Sequence, residues 1–270
     1  MKKVVFITGA SSGIGKETAQ TLVKEGFKVY GASRRTEKMQ SLAKSGIEIL
    51  PLDLTKDGSI NQVIDTILKK ENRLDILINN AGYGSYGAFE DVPMEEARHQ
   101  FEVNIFGLAR LTQLVISHMR RQKAGRIINI SSIGGSFGEP HGSWYHATKY
   151  ALEGISDSLR MELKQFNIDV VIIKPGAIRS EWNGIARKQL MEVSGQTAYH
   201  ELVQKHYRLL EKADKQASHS SVVAKTILKA SKAKNPKTRY VVGSGARPLI
   251  LIRKLLSDRL FDKIMLNAMK

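Results

Sequence analysis

Apolar and polar positions along this chain alternate between two regimes. Short, nearly continuous apolar runs rich in β-branched residues occur at 4–8, 27–32, 47–52, 76–79, 126–130 and 169–174, with a brief late run at 240–242. Runs of this kind predict strands buried on both faces, as in a parallel sheet. Between them the apolar residues recur at helical spacing. Residues 13–25 set Ile14, Ala19 and Leu22 on one face, and residues 59–70 do the same with Ile60, Val63, Ile64, Ile67 and Leu68. Longer helical patterns cover 93–121 and 146–166. Strand–helix–strand alternation predicts an α/β fold: a doubly wound, mostly parallel seven-stranded sheet with helices on both faces. Two late segments break the rhythm. Residues 177–217 form a long insertion with large apolar side chains, and 246–270 read as a basic amphipathic helix or helix pair. With no internal repeat, low-complexity tract or Pro/Gly linker, the whole span 1–270 reads as one domain.

Composition narrows the chemistry. The 270 residues are 42% hydrophobic and 25% charged, an ordinary globular balance. There is no cysteine. Disulfides, thiolate metal sites and cysteine nucleophiles are therefore excluded, and a reducing, cytoplasmic setting fits. The net charge is +16, unevenly spread. Residues 1–204 hold 26 basic and 22 acidic side chains, a surplus of four; residues 205–270 hold 16 and 4, a surplus of twelve. A basic end of this kind suits a solvated face, an anionic membrane surface or a nucleic acid. Nucleic acid is disfavoured, because no recognised binding motif and no aromatic-interleaved basic groove is present.

Thr8-Gly9-Ala10-Ser11-Ser12-Gly13-Ile14-Gly15 joins the first strand to the first helix. Glycines there permit a tight turn and a close backbone approach to a pyrophosphate, and the helix start offers free N–H groups. The second strand ends Ser33-Arg34-Arg35, with no carboxylate before Glu37. An acidic residue at that place binds a ribose 2′-hydroxyl, whereas arginine accommodates a 2′-phosphate through its planar fork of donors. NADP(H) is thus expected in preference to NAD(H). Tyr145 and Lys149, four residues apart on a predicted helix, share a face. A nearby ammonium and an oxidised nicotinamide would lower the tyrosine pKa from its usual ~10. His141 and His146 flank the tyrosine, but with no acidic cluster nearby no metal is expected.

The Thr-Gly-x3-Gly-x-Gly spacing resembles the cofactor signature of the short-chain dehydrogenase/reductase family. The other family motifs follow in order: Asp53 after the third strand, Asn79-Asn80-Ala81-Gly82, Asn104, Ser131-Ser132, Tyr145-x3-Lys149 and Pro175-Gly176, with Ser180 at a usual threonine. The resemblance spans residues 3–243. It implies Tyr145 as general acid/base, Lys149 as the group that lowers the Tyr145 pKa and binds the nicotinamide ribose, and Ser132 as donor to the substrate oxygen. It also implies Asn104 as holder of a proton-relay water. Cofactor contacts are implied at Gly9, Ser11, Ser12, Gly13, Ile14, Gly15, Arg34, Arg35, Asp53, Leu54, Asn80, Ala81, Gly82, Pro175, Gly176, Ile178 and Ser180.

In that family the segment after Pro-Gly caps the substrate. The apolar insertion, with Tyr83, Phe137, His141, Trp144 and Trp182 as expected lining, suggests a hydrophobic ketone, aldehyde or alcohol, of the kind handled by the steroid, retinol and acyl-dihydroxyacetone-phosphate branch. A homodimer or homotetramer is the family's habit. The C-terminal extension could meet a membrane surface, cover the substrate mouth or pack on a partner subunit. An NADP(H)-binding sensor on the same fold, without turnover, is the alternative function.

Overall fold

The computed structural model describes residues 2–270. Seven strands form one sheet: β1 (Val4–Thr8), β2 (Lys28–Ser33), β3 (Glu48–Pro51), β4 (Ile76–Asn79), β5 (Gly125–Ile130), β6 (Ile168–Pro175) and β7 (Arg239–Val242). Their order across the sheet is β3-β2-β1-β4-β5-β6-β7, and every neighbouring pair is parallel. The predicted strands are all present, their ends shifted by no more than a residue or so.

Strand residues alternate between two apolar layers. Val5 and Ile7 of β1 face a cluster with Leu22, Met39 and Ile227, while Val4 and Phe6 face one with Ile64, Leu111 and Met119. The first layer is covered by α1 (Gly13–Lys24), α2 (Gln40–Ala43) and α9 (Ser221–Lys232); the second by α3 (Asp57–Glu71), α5 (Gly107–Gln122) and α6 (Ser143–Leu163). Phe6 is fully buried between sheet and helices, so Phe6→Ala would cost about 3–5 kcal/mol. Parallel strands need such crossovers, and helices on both sides leave the central strands apolar throughout.

The stretch predicted as one helix over 93–121 is broken. α4 (Met94–Phe101) passes into a π-helical turn, Glu102–Phe106, before α5 begins. A π-turn inserts one residue into the hydrogen-bond ladder and often marks a functional site; here it contains Asn104.

The insertion folds as α7 (Glu181–Ser194) and α8 (His200–Lys215), which pack on each other. The C-terminal extension is a helix pair, α10 (Ala246–Leu255) and α11 (Asp258–Ala268). The strand order reverses between β1 and β4, which opens a crevice at the C-terminal strand ends, where ligands settle in open α/β sheets.

Candidate active site

The glycine loop lies at this crevice. Gly9 and Gly13 adopt φ of 69° and 53°, the left-handed region that side chains disfavour. A Cβ on Gly9 would come within 2.8 Å of the Ala81 Cα, and one on Gly15 would strike the Gly9 carbonyl. The loop is therefore pressed onto the end of β4 and must stay bare. Thr8 stitches the two together: its Oγ1 accepts from the N–H groups of Asn80 (3.1 Å) and Ala81 (3.0 Å). The Asn80 amide donates back to the carbonyls of Thr8 (2.9 Å) and Gly9 (3.2 Å). Thr8 belongs to the motif, but its role as the staple appears only in three dimensions.

Arg35 reaches this loop. Its guanidinium donates to Ser11 Oγ (3.3 Å) and Ser12 Oγ (3.4 Å), and it pairs with Glu181 at the start of α7 (3.4 Å). Arg34 is exposed, and its charge helps to hold the Asp53 carboxyl below its usual range. Burial opposes that shift; hydrogen bonds from the Thr55 N–H and hydroxyl outweigh it together with Arg34 and Lys56. Asp53 lies two residues past β3. Leu54 and Ile178 are buried, while Ser180 stands at the residue before α7, with its Cβ toward Gly13. Gly176 abuts the Ser244 carbonyl so closely that a Cβ would not fit. Bare glycines, a helix N-terminus and a guanidinium over two serines suit a nicotinamide dinucleotide.

Ser132, Tyr145 and Lys149 converge at the ends of β5 and α6. The Ser132 hydroxyl accepts from the Gly134 N–H at 3.0 Å, which leaves its proton free for another acceptor. Lys149 Nζ donates to the Ile130 carbonyl at 3.0 Å and stands 5.8 Å from the Tyr145 ring centre. Asn104 accepts from the Tyr83 N–H (3.0 Å) and donates to the Tyr83 carbonyl (2.8 Å) and Thr148 Oγ1 (3.2 Å). It thus ties the loop after β4 to α6. Gly82 sits between Asn104 and Lys149, and a Cβ there would meet Asn104 Oδ1 at 2.9 Å.

The expected lowering of the Tyr145 pKa is absent from the protein by itself. Burial raises it, a hydrogen bond with Ser132 lowers it in part and the Glu139 carboxylate raises it again, which leaves it at about 12. Burial also lowers Lys149 to about 8, with Glu153 acting the other way. The ammonium is aimed at the Ile130 carbonyl rather than the phenol, so it does not offset the tyrosine's desolvation.

The five residues expected to line the substrate site do not all meet at Tyr145. Only Trp182 packs on Tyr145, with ring centres 5.4 Å apart. Trp144 points away, stacked on Phe89 at 5.0 Å, and lines a 330 Å³ groove with Phe101 and Phe106. Adjacent helix residues project about 100° apart, so Trp144 and Tyr145 cannot share a face. Tyr83 lies against His99 of α4. Phe137 is buried behind His146, and His141 is stacked on His206 of α8 with its Nδ1 3.0 Å from the partner's.

Tyr86 takes the place sequence reasoning left blank. Its ring is 5.9 Å from those of both Tyr145 and Trp182, and its hydroxyl donates to Glu139 at 2.9 Å. Glu139 is the lone acid between β5 and Tyr145, a signal that could have been read. Burial would raise its carboxyl, but His146, His206 and Tyr86 together hold it down at about 2. His206 had no sequence signal, since its partners lie far away along the chain. Tyr145, Tyr86 and Trp182 join Ala186, Leu190, Val203 and Leu210 in one apolar cluster between α6 and the α7–α8 insertion.

Comparison with known proteins agrees with this geometry. A family model described as short chain dehydrogenase matches residues 3–190. The chain belongs to this family. Among similar short-chain dehydrogenases, a 3-ketodihydrosphingosine reductase of Bacteroides thetaiotaomicron is 36% identical over 89% of this chain and 88% of its own length. An NADPH-dependent 3-dehydrocapnine reductase of Ornithobacterium rhinotracheale is 32% identical over 99% of this chain and 98% of its own. A short-chain dehydrogenase structure from Streptomyces avermitilis superposes with a TM-score of 0.83 at 34% identity, covering 96% of this chain and 94% of that one. The protein is thus an oxidoreductase by family, on a Rossmann-like fold.

Proposed function

We propose that the protein is an NADP(H)-dependent carbonyl reductase acting on a hydrophobic ketone or aldehyde, and on the matching alcohol in reverse. The observation that carries this reading is the position of Tyr145. It is held between the Ser132 hydroxyl and an apolar cap cluster, with Lys149 and the glycine loop at the same strand ends. The bound nicotinamide supplies or accepts the hydride.

The chain's own residues do the rest. Gly9 to Gly15 and Asn80 shape the pyrophosphate cradle, while Arg34 and Arg35 receive the 2′-phosphate. Ser132, with one lone pair occupied by Gly134, points its proton at the carbonyl oxygen and stabilises developing negative charge. Tyr145, protonated at neutral pH, holds at Oη the proton that the reduced oxygen takes up. Lys149 binds beside the ribose. Trp182, Tyr86 and Leu190 keep water from the reacting carbon and favour an apolar substrate. Both relatives are named as reductases, of a keto or dehydro compound. One name is lipid-like and the other NADPH-dependent, which supports substrate class, direction and cofactor alike.

Subunit pairing through the helices that carry Asn104 and Tyr145 is part of this reading. It is supported by the apolar side chains left outward there: Phe106, Tyr150 and Met161 are all exposed.

The test is NADPH consumption across steroids, retinaldehyde, long-chain keto bases, acyl-dihydroxyacetone phosphate and small polar ketones, with Tyr145→Phe as blank. Turnover confined to bulky apolar carbonyls is expected. Tight NADPH binding with no turnover on any of them overturns the enzyme and leaves a dinucleotide sensor.

A further inference from the structure

The C-terminal helix pair turns apolar surface outward as well as inward. Inward, α10 buries Ala246, and α11 buries Phe261 with Met269 just beyond its end. Outward, Pro248, Leu251 and Leu255 of α10 fall on one stripe at helical spacing, with Leu251 57% and Leu255 73% exposed. On α11, Leu260 and Ile264 lie one turn apart and are also exposed. Exposed Arg247, Lys254, Arg259 and Lys263 flank these side chains. Residues 246–270 hold six basic and two acidic side chains, and one acid, Asp258, is paired with Arg253.

We propose that this face docks on the surface of an anionic lipid bilayer. Leucines beside lysine and arginine are the chemistry that such a surface recognises: apolar side chains enter the headgroup boundary and the cations meet lipid phosphates. Among the described residues no helix is long and apolar enough to cross a membrane, so the pair lies on it. A second copy of the chain is a poor occupant, because a two-fold contact would set this basic face against itself. Docking would hold the catalytic end of the sheet near the lipid. Phe261 packs on Phe137 (ring centres 5.5 Å), Phe137 packs on His146 (6.3 Å), and α10 packs on the turn after Ser132. The inference stands apart from the proposed reaction, since binding is read without turnover.

The experiment is co-sedimentation of the full chain with phosphatidylcholine vesicles, with and without phosphatidylglycerol. Binding only to the anionic vesicles, weakened by salt, is expected. Replacing Arg247, Lys254, Arg259 and Lys263 by Gln should weaken it about fivefold per charge. Leu251→Ser with Leu255→Ser should weaken it at every salt concentration. Circular dichroism verifies that the variants fold. No binding to either vesicle, or binding indifferent to both sets of variants, overturns the proposal. So does a drop in oligomeric mass by light scattering in the leucine variant, which would make the face a subunit interface. Binding of duplex DNA at least as tight as vesicle binding, lost in the glutamine variant, would overturn it in favour of nucleic acid.

Discussion

His146 and Ser132 are joined through the backbone of one residue, Gly134. His146 Nδ1 lies 2.9 Å from the Gly134 carbonyl, and the Gly134 N–H donates to Ser132 Oγ at 3.0 Å. The far ring nitrogen of His146 faces Glu139 at 3.7 Å. Burial lowers the His146 pKa, but Glu139 and hydrogen bonds with the Gly134 and Phe137 backbone together outweigh it, so the net shift is upward. The imidazole clamps the short 3-10 turn Ile133–Gly135, and the turn orients the hydroxyl.

His146→Ala should therefore lower kcat by roughly tenfold, the value of one well-placed hydrogen bond, with cofactor affinity unchanged. His146→Asn, which can still donate to the Gly134 carbonyl, should recover part of it. Because the His146 pKa is raised on folding, its stabilising pairing is fully present below the unfolded value and is lost as pH rises through the folded one. Melting temperatures of wild type and His146→Ala should converge across that window. An unchanged kcat in His146→Ala would dissociate the clamp from catalysis.

Lys149 is a buried ammonium held at a cost in stability. Its folded pKa, about 8, lies below the ordinary lysine value. Below pH 8 both folded and unfolded states carry the ammonium, and the folded state bears its desolvation in full. Lys149→Met should stabilise the fold near pH 7 by on the order of 1–3 kcal/mol, partly offset by the unpaired Ile130 carbonyl. The advantage should shrink between pH 8 and about 10.4, as the wild type sheds the proton on folding. Activity should be lost in the same variant. Denaturant titrations at the two pH values check the sign.

Under the proposed function, Arg34 and Arg35 receive the 2′-phosphate of NADP(H). Alanine at both should weaken NADPH by about ten- to hundredfold and NADH far less, the worth of one or two charge-assisted hydrogen bonds. Glu181, which pairs with Arg35 across to the cap, competes for the same guanidinium. Glu181→Gln should tighten NADPH severalfold. Fluorescence titration of both cofactors decides this, and equal losses for the two would remove the 2′-phosphate assignment.

Trp182 rests on Tyr145, and a Cβ at Gly84 would collide with its indole. Trp182→Ala should raise KM for apolar carbonyls about tenfold or more, since the lost ring exposes Tyr145 to water, while NADPH affinity stays constant. Gly84→Ala should act in the same direction by displacing the indole. Steady-state kinetics on the best apolar substrate checks both.

The sheet was legible in the apolar pattern of the chain. Continuous apolar runs have no stable placement except between two helical layers, so periodicity alone specified β1 to β7. The bare glycine loop, Tyr145 and Lys149 were legible because local backbone geometry and a four-residue helical spacing dictate where they point. Tertiary structure decided what depends on contacts across the chain. The π-turn at Asn104 is invisible to a pattern that counts helical periods, because a π-turn alters register without altering composition. Trp144 and Tyr145 are neighbours in sequence yet project about 100° apart on α6, and Trp182, thirty-seven residues from Tyr145, covers it instead. The direction of the Tyr145 pKa shift was also a tertiary outcome. Helical spacing brings an ammonium to the same face, but only the packed cap determines how much water the phenol has lost, and here desolvation is the larger effect.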